Sequence, residues 1–326
     1  MPLTAEREDF VLLTDPLRHE LLAYCYRMLG SVHDAEDQVQ ETMVRAWRSY
    51  DAFEGRASLR TWLYRIATNT CLRALETRSR RPLPVGLGGP SDTPEGPLDA
   101  AQSEVPWLEP FPDVLLGTGS TDPAAIVTSR RSMRLALIAA LQYLPGRQRA
   151  VLILRDVLMW RAAEVAELLG VSTIAVNSVL QRARAGLQQA GLVEDEVREP
   201  ADAEQRALVE KYAAAFEKAD VNALMQLLRA DAVVEMPPIP TWFAGREQIG
   251  RFLTAHVLFH PGDFLTVLTG ANGQPALAGY QRGPDGVYRA HMIEAFTCTR
   301  GGIARITAFT EAGLFPAFGL PQELPV

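Results

Sequence analysis

Lysine is almost missing from this chain: of 32 basic residues, only Lys211 and Lys218 are not arginine. That bias tracks genomic base composition and carries no functional weight by itself. Cysteine is scarce as well. Cys25, Cys71 and Cys298 are far apart, odd in number and outside any metal spacing, which argues against a disulfide framework or a zinc motif. Reduced, mostly buried thiols in a cytoplasmic protein are expected. The five histidines show no ligand spacing on one helix face, so neither metal nor other cofactor is expected. No apolar run approaches the ~20 residues that span a bilayer, and the opening "MPLTAEREDFVLLTD" has no basic start with an apolar core, so neither membrane association nor a secretory signal is expected.

What is present points to several soluble globular domains. The 326 residues exceed one ordinary core, and 48% hydrophobic with 22% charged residues suits water. The net charge of −7 hides an uneven distribution. Arg56 to Arg81 holds seven arginines against Glu76 alone, and Thr128 to Val193 holds nine against Asp156, Glu164 and Glu167. Between them, Pro82 to Val127 has no basic residue but seven acids, among them Asp92, Glu95, Asp99 and Glu104. Two basic blocks separated by an acidic strip suggest two polyanion contacts joined by a segment that avoids or imitates a polyanion.

Periodicity predicts helices from about residue 9 to 81. "PLRHELLAYCYRMLG" ends at Gly30; "SVHDAEDQVQETMVRAWRSY" starts at Ser31 with Ala35, Val39, Met43, Ala46 and Trp47 as its buried stripe; "LRTWLYRIATNTCLRALETRSRR" follows a loop. Residues 82–125, rich in Pro and Gly, read as a linker. Within it, "VPWLEPFPD" is either a peptide that docks into a groove or a tether to its own domain. Helices resume to about 191. There, Ala162, Val165, Ala166 and Leu169 line one helix, Gly170 bends the chain, and Val176, Leu180, Ala183 and Leu187 line the next. That is helix-turn-helix arithmetic, which any helical hairpin can imitate. From about 203, two helical stretches precede short alternating runs, which predicts helices followed by a curled antiparallel sheet.

"DAEDQVQETMVRAW", "FEGRASLRTWLYRIATNTCL", a linker and "LPGRQRAVLILRDVLMWRAAEVAELLGVS", in this order, resemble an extracytoplasmic-function sigma factor over roughly residues 10 to 190. The last third resembles SnoaL-like domains. The resemblance implies a multidomain chain: two all-α domains, the second with a helix-turn-helix, then an α+β cone-shaped barrel. Residues 1–81 would bind core RNA polymerase and melt the minus-ten element, 82–125 would be the linker, 126–193 would read the minus-thirty-five element, and 203–326 would regulate. Core RNA polymerase and promoter DNA are the implied partners, with a small-molecule ligand of the last domain as a further candidate.

Residue by residue, the resemblance implies core-polymerase contacts at Asp34, Asp37, Gln40, Glu41 and Arg45. It implies minus-ten contacts at Arg56, Ser58, Arg60, Asn69, Arg73, Arg78 and Arg80, with Trp62 in the core; an Asp is common where this chain has Arg73. Minus-thirty-five contacts fall on Ser172, Thr173, Asn177, Ser178, Gln181 and Arg182, whereas relatives often carry basic residues at positions 177 and 179, here Asn and Val. In the last domain, Trp242, Phe243, His256, His260, Tyr280, His291 and Glu294 could line a cavity. Asp231, His291 and Glu294 are the candidates for acid–base chemistry, but a packed interior without catalysis is the expected state. Two rivals stand beside this reading: a ligand-responsive helix-turn-helix regulator that works without polymerase, and a SnoaL-like enzyme fused to a DNA-binding unit.

Overall fold

The structure, a computed structural model, describes residues 10–55, 57–77, 79–116, 130–189 and 202–325. The chain divides into two compact units, Met1–Arg81 with Leu115–Val193, and Pro82–Val114 with Glu194–Val326.

The first unit begins with α1 (Arg18–Leu29), α2 (Val32–Arg48) and α3 (Leu59–Glu76). Gly30 stops α1 at a left-handed φ of 72°, where a side chain would be strained. Ser31 and Ser58 then cap α2 and α3, each accepting a backbone N–H, from Asp34 and Thr61. All of α1 from Leu21 to Leu29 is buried, Arg27 included, because neighbours cover it on every side. The buried stripe of α2 is Val32, Ala35, Val39, Thr42 and Ala46, so Thr42 takes the inward place expected of Met43. Its hydroxyl is satisfied by the Gln38 carbonyl at 2.7 Å, which lets a polar group face the core.

The same unit continues with α4 (Leu135–Leu141), α5 (Gly146–Leu152), a π-helical turn (Ile153–Val157), α6 (Ala162–Leu169) and α7 (Thr173–Gln189). Gly170, at φ 65°, makes the bend between α6 and α7. Arg149 of α5 donates to the Met28 carbonyl, to Gln142 Oε1 at 2.8 Å and to the carbonyls of Gln142 and Leu144. Tyr64 of α3 meets Trp160 with ring centroids 5.0 Å apart.

The second unit contains α8 (Asp202–Glu217), α9 (Val221–Leu227) and α10 (Arg246–His256), with β1 (Leu228–Met236), β2 (Ile239–Ala244), β3 (Phe264–Ala271), β4 (Gln274–Arg282), β5 (Tyr288–Thr299), β6 (Gly302–Phe309) and β7 (Glu323–Leu324). The sheet runs β2-β1-β6-β5-β4-β3, and β7 pairs with β5. It is not wholly antiparallel as expected: β1 and β6 run parallel, since a long excursion through β2 to β5 separates them. The alternating runs did not foretell β2, which contains Pro240, a residue that an edge strand tolerates. Tyr212, Phe216, Leu277 and Phe296 form part of the core between helices and sheet.

Residues 82–114 pack along this second unit. Ser91 N–H donates to the Trp242 carbonyl, Gln102 N–H to the Pro238 carbonyl, and Trp242 Nε1 to the Gly88 carbonyl at 3.0 Å. Phe111, fully buried, makes two hydrogen bonds with Asn272: its N–H donates to the side-chain Oδ1 and its carbonyl accepts the backbone N–H, both 2.8 Å. "VPWLEPFPD" is thus a docked peptide, seated on the turn between β3 and β4.

Candidate nucleic-acid and polymerase interface

Asp37 and Gln40 lie exposed on α2, Glu41 is half-buried one turn on, and Val44 extends the same face as an exposed apolar group that the sequence reading missed. Spacings of three and four residues put these side chains on one side of the helix. Arg45 pairs with Glu41 along it. Asp34 behaves differently: its carboxylate forms a mostly buried ion pair with Arg81. It therefore pins the chain leaving α3 to the first turn of α2.

On α3, Asn69 and Arg73 are exposed, and Arg65 continues their row at spacing four. Ser58 caps the helix through its own Oγ. Arg60 is engaged internally: it donates to Glu20 at 2.8 Å and lies over the rings of Tyr64 and Trp160, 5.1 and 5.4 Å from their centroids. Arg80 lies over Tyr143 at 4.1 Å. Trp62 is buried, as expected. Arg56 and Arg78 lie outside the described residues. A cleft of about 440 Å³ is lined by Phe53, Glu54, Trp62 and Arg65 from the first half of the unit and by Glu167 and Leu168 of α6.

On α7 the buried stripe is Val176, Leu180 and Ala183, with Leu187 half-buried. Ser172, Thr173, Asn177, Ser178, Gln181 and Arg182 are all exposed. Ser172 Oγ also accepts Ala175 N–H at 3.2 Å, which caps α7. Ile174, which the sequence reading passed over, is exposed among them. Its signal was available in the sequence, as an isoleucine off the buried stripe.

In the second unit the proposed cavity residues have several different sets of partners. Trp242 faces Gly88, and Tyr280 donates to the Pro321 carbonyl while its ring meets Phe315. Phe243 stacks on Phe252, which His256 also approaches. His260 and Asp231 are at the surface, beside Asp263 and Arg229. His291 lies 5.7 Å from Phe264, and its burial lowers its pKa. Glu294 is buried beneath Tyr212, whose hydroxyl donates to Oε1 at 3.5 Å. Burial pushes the Glu294 carboxyl up to about 8, against that hydrogen bond. Among the described residues no group of three or more His, Cys, Asp or Glu could hold a metal ion.

Comparison with known proteins decides between the readings. The Sigma-70 region 2 model matches residues 13–81, Sigma-70 region 4 matches 134–187, and the SnoaL-like domain matches 209–307. The ECF RNA polymerase sigma factor SigG of Mycobacterium tuberculosis is 50% identical over 99% of this chain and 87% of its own length. The chain belongs to the ECF RNA polymerase sigma factors. SigJ of the same organism, also an ECF sigma factor, is 31% identical over 90% of this chain and 88% of its own. The crystal structure of SigJ superposes with a TM-score of 0.61, at 25% identity, over 95% of this chain and 100% of that one. This sigma factor therefore carries its SnoaL-like domain as an extension after region 4, and its whole-chain relatives are transcription factors rather than enzymes. No single helix among the described residues is long and apolar enough to cross a membrane.

Proposed function

We infer that this cytoplasmic sigma factor joins core polymerase through Asp37, Gln40, Glu41 and Val44, opens the minus-ten element with the Asn69–Arg73 face of α3, and docks on the minus-thirty-five element with α7. Residues 203–326 regulate it, with 82–114 as the strap. The observation that carries this reading is the exposure of all three faces around buried stripes. Their chemistry fits: an acidic face suits a basic protein surface, and polar or cationic faces suit base edges and phosphates.

In the packed first unit, α3 and α6 border one cleft. The two promoter elements lie ~25 base pairs apart, or ~85 Å of duplex. Reading both at once requires the halves of this unit to separate, so the packed form is the resting one. Separation has to stretch 82–114, which the C-terminal unit holds through Phe111, Trp242 and the Arg251–Glu95 ion pair. A ligand of that unit would shift the balance only by preferring one arrangement.

The test is Asp37→Arg with Glu41→Arg in the full chain, assayed by polymerase pull-down and by transcription on genomic fragments. Loss of both with an unchanged helical spectrum is expected, because like charges then meet at the interface. Normal pull-down removes the assignment.

A further inference from the structure

Ile174 presents 77% of its surface to solvent, the largest fraction among the exposed large hydrophobic side chains of the described residues. It sits in the first turn of α7, which starts at Thr173. Asn177, Ser178 and Gln181 follow at spacings of three, four and seven, so one exposed face holds Ile174 and three amide or hydroxyl groups. The stripe of Val176, Leu180 and Ala183 faces the other way into the core. An isoleucine on this face adds nothing to folding, because its apolar area remains in water.

The groups around it limit what it can meet. The face is narrow, polar and uncharged near the helix start, with Arg182 further along. A protein partner for a lone isoleucine would offer an apolar pocket, and would require an apolar rim that Asn177, Ser178 and Gln181 do not provide. Duplex DNA fits better. In the major groove, the polar groups find base edges, and the one apolar group displayed there is the thymine C5-methyl. The first turn of a reading helix is also the part that enters deepest among the bases.

We propose that Ile174 selects thymine in the upstream promoter element by packing against its C5-methyl group. The assignment rests on α7 being the upstream reader. It gives this helix an apolar determinant of specificity beside its hydrogen-bonding ones, and predicts rejection of cytosine, whose C5 carries no methyl, at that position.

The experiment uses full-length protein with core polymerase. The duplex is one selected by this holoenzyme from a randomised library, with each upstream thymine replaced in turn by uracil, which removes only the methyl group. For the wild type, one replacement is expected to weaken binding ~4-fold, the worth of one buried methyl-sized group. With Ile174→Ala, that replacement is expected to have no further effect, while Ile174→Val retains part of it. Uracil that weakens wild-type binding at none of the positions overturns the proposal. So does a uniform loss by Ile174→Ala on all templates, including one with a scrambled upstream element, since that marks a protein contact. Asn177→Ala and Gln181→Ala separate the two levels. If both select the same upstream element as the wild type, α7 is not the reader and the underlying assignment fails. If they change the selection while uracil has no effect, only the role of Ile174 fails.

Discussion

Arg149 reaches from α5 to the carbonyl of Met28 at the end of α1, joining region 4 to region 2 through a buried guanidinium. Burial lowers its pKa to about 10, so it remains charged at neutral pH. Four acceptors depend on it. Arg149→Ala is expected to cost about 2–4 kcal/mol of stability by urea denaturation, because buried carbonyls lose a charged donor. Spectroscopic labels at positions 69 and 181 should also move apart. Unchanged stability and unchanged distance would show that the contact holds nothing together.

Asn272 occupies a left-handed conformation, φ 58°, while its side chain holds Phe111. Two substitutions separate these roles. Asn272→Gly keeps the backbone and removes the side-chain acceptor; Asn272→Ala removes the acceptor and strains the backbone as well. Both are expected to speed amide exchange in residues 105–113. The alanine variant should in addition be less stable than the glycine variant by ~1 kcal/mol, read by thermal melting. Protection of 105–113 that survives both changes would place the anchor elsewhere.

Met159 also lies in the left-handed region, at φ 57°, with 75% of its surface exposed. Nothing buried is lost by removing such a side chain. Met159→Gly is therefore expected to stabilise the protein by ~1 kcal/mol in urea, as relief of local strain. A loss of similar size would mean that the methionine packs in solution.

Glu294 makes stability depend on pH. Its folded pKa is raised to about 8 by burial, whereas the unfolded carboxyl titrates near the ordinary value of 4.5. Between those values the folded chain holds a proton that the unfolded chain has released. Stability from this group is complete below about 4.5, declines as pH rises, and is gone above about 8. Glu294→Gln removes the titration. Its unfolding free energy in urea should exceed that of the wild type at pH 8 by more than at pH 5, with a difference on the order of several kcal/mol. Parallel pH profiles for the two proteins would count against a buried, protonated acid.

Much of this was readable from the amino acids. Gly30, Ser31 and Gly170 mark helix ends by local chemistry, and the stripe of α7 follows from spacing alone. Harder to read were features set by distant partners. Thr42 faces inward because Gln38 and Thr70 satisfy it. Cys25 and Cys71 lie in contact across two helices, and this contact, with burial, raises the Cys25 thiol well above its usual pKa. Nothing in a 46-residue separation announces that pairing. Arg60 looked like a DNA cation and is occupied by Glu20 and two rings. Asp231 looked like an acid–base candidate and pairs with Arg229 at the surface. Charge is visible in a sequence; the partner of a charge is not.

The anchoring of Phe111 by Asn272 spans 161 positions of sequence. A ribosome adding about 5–20 residues per second needs ~8–30 s to cover that distance. Region 2 is complete when this interval starts and region 4 is made within it, while the sheet that will hold the strap is still unfinished. Each new molecule thus passes through a stage in which the strap has no seat. The seat of the strap is made last, after regions 2 and 4.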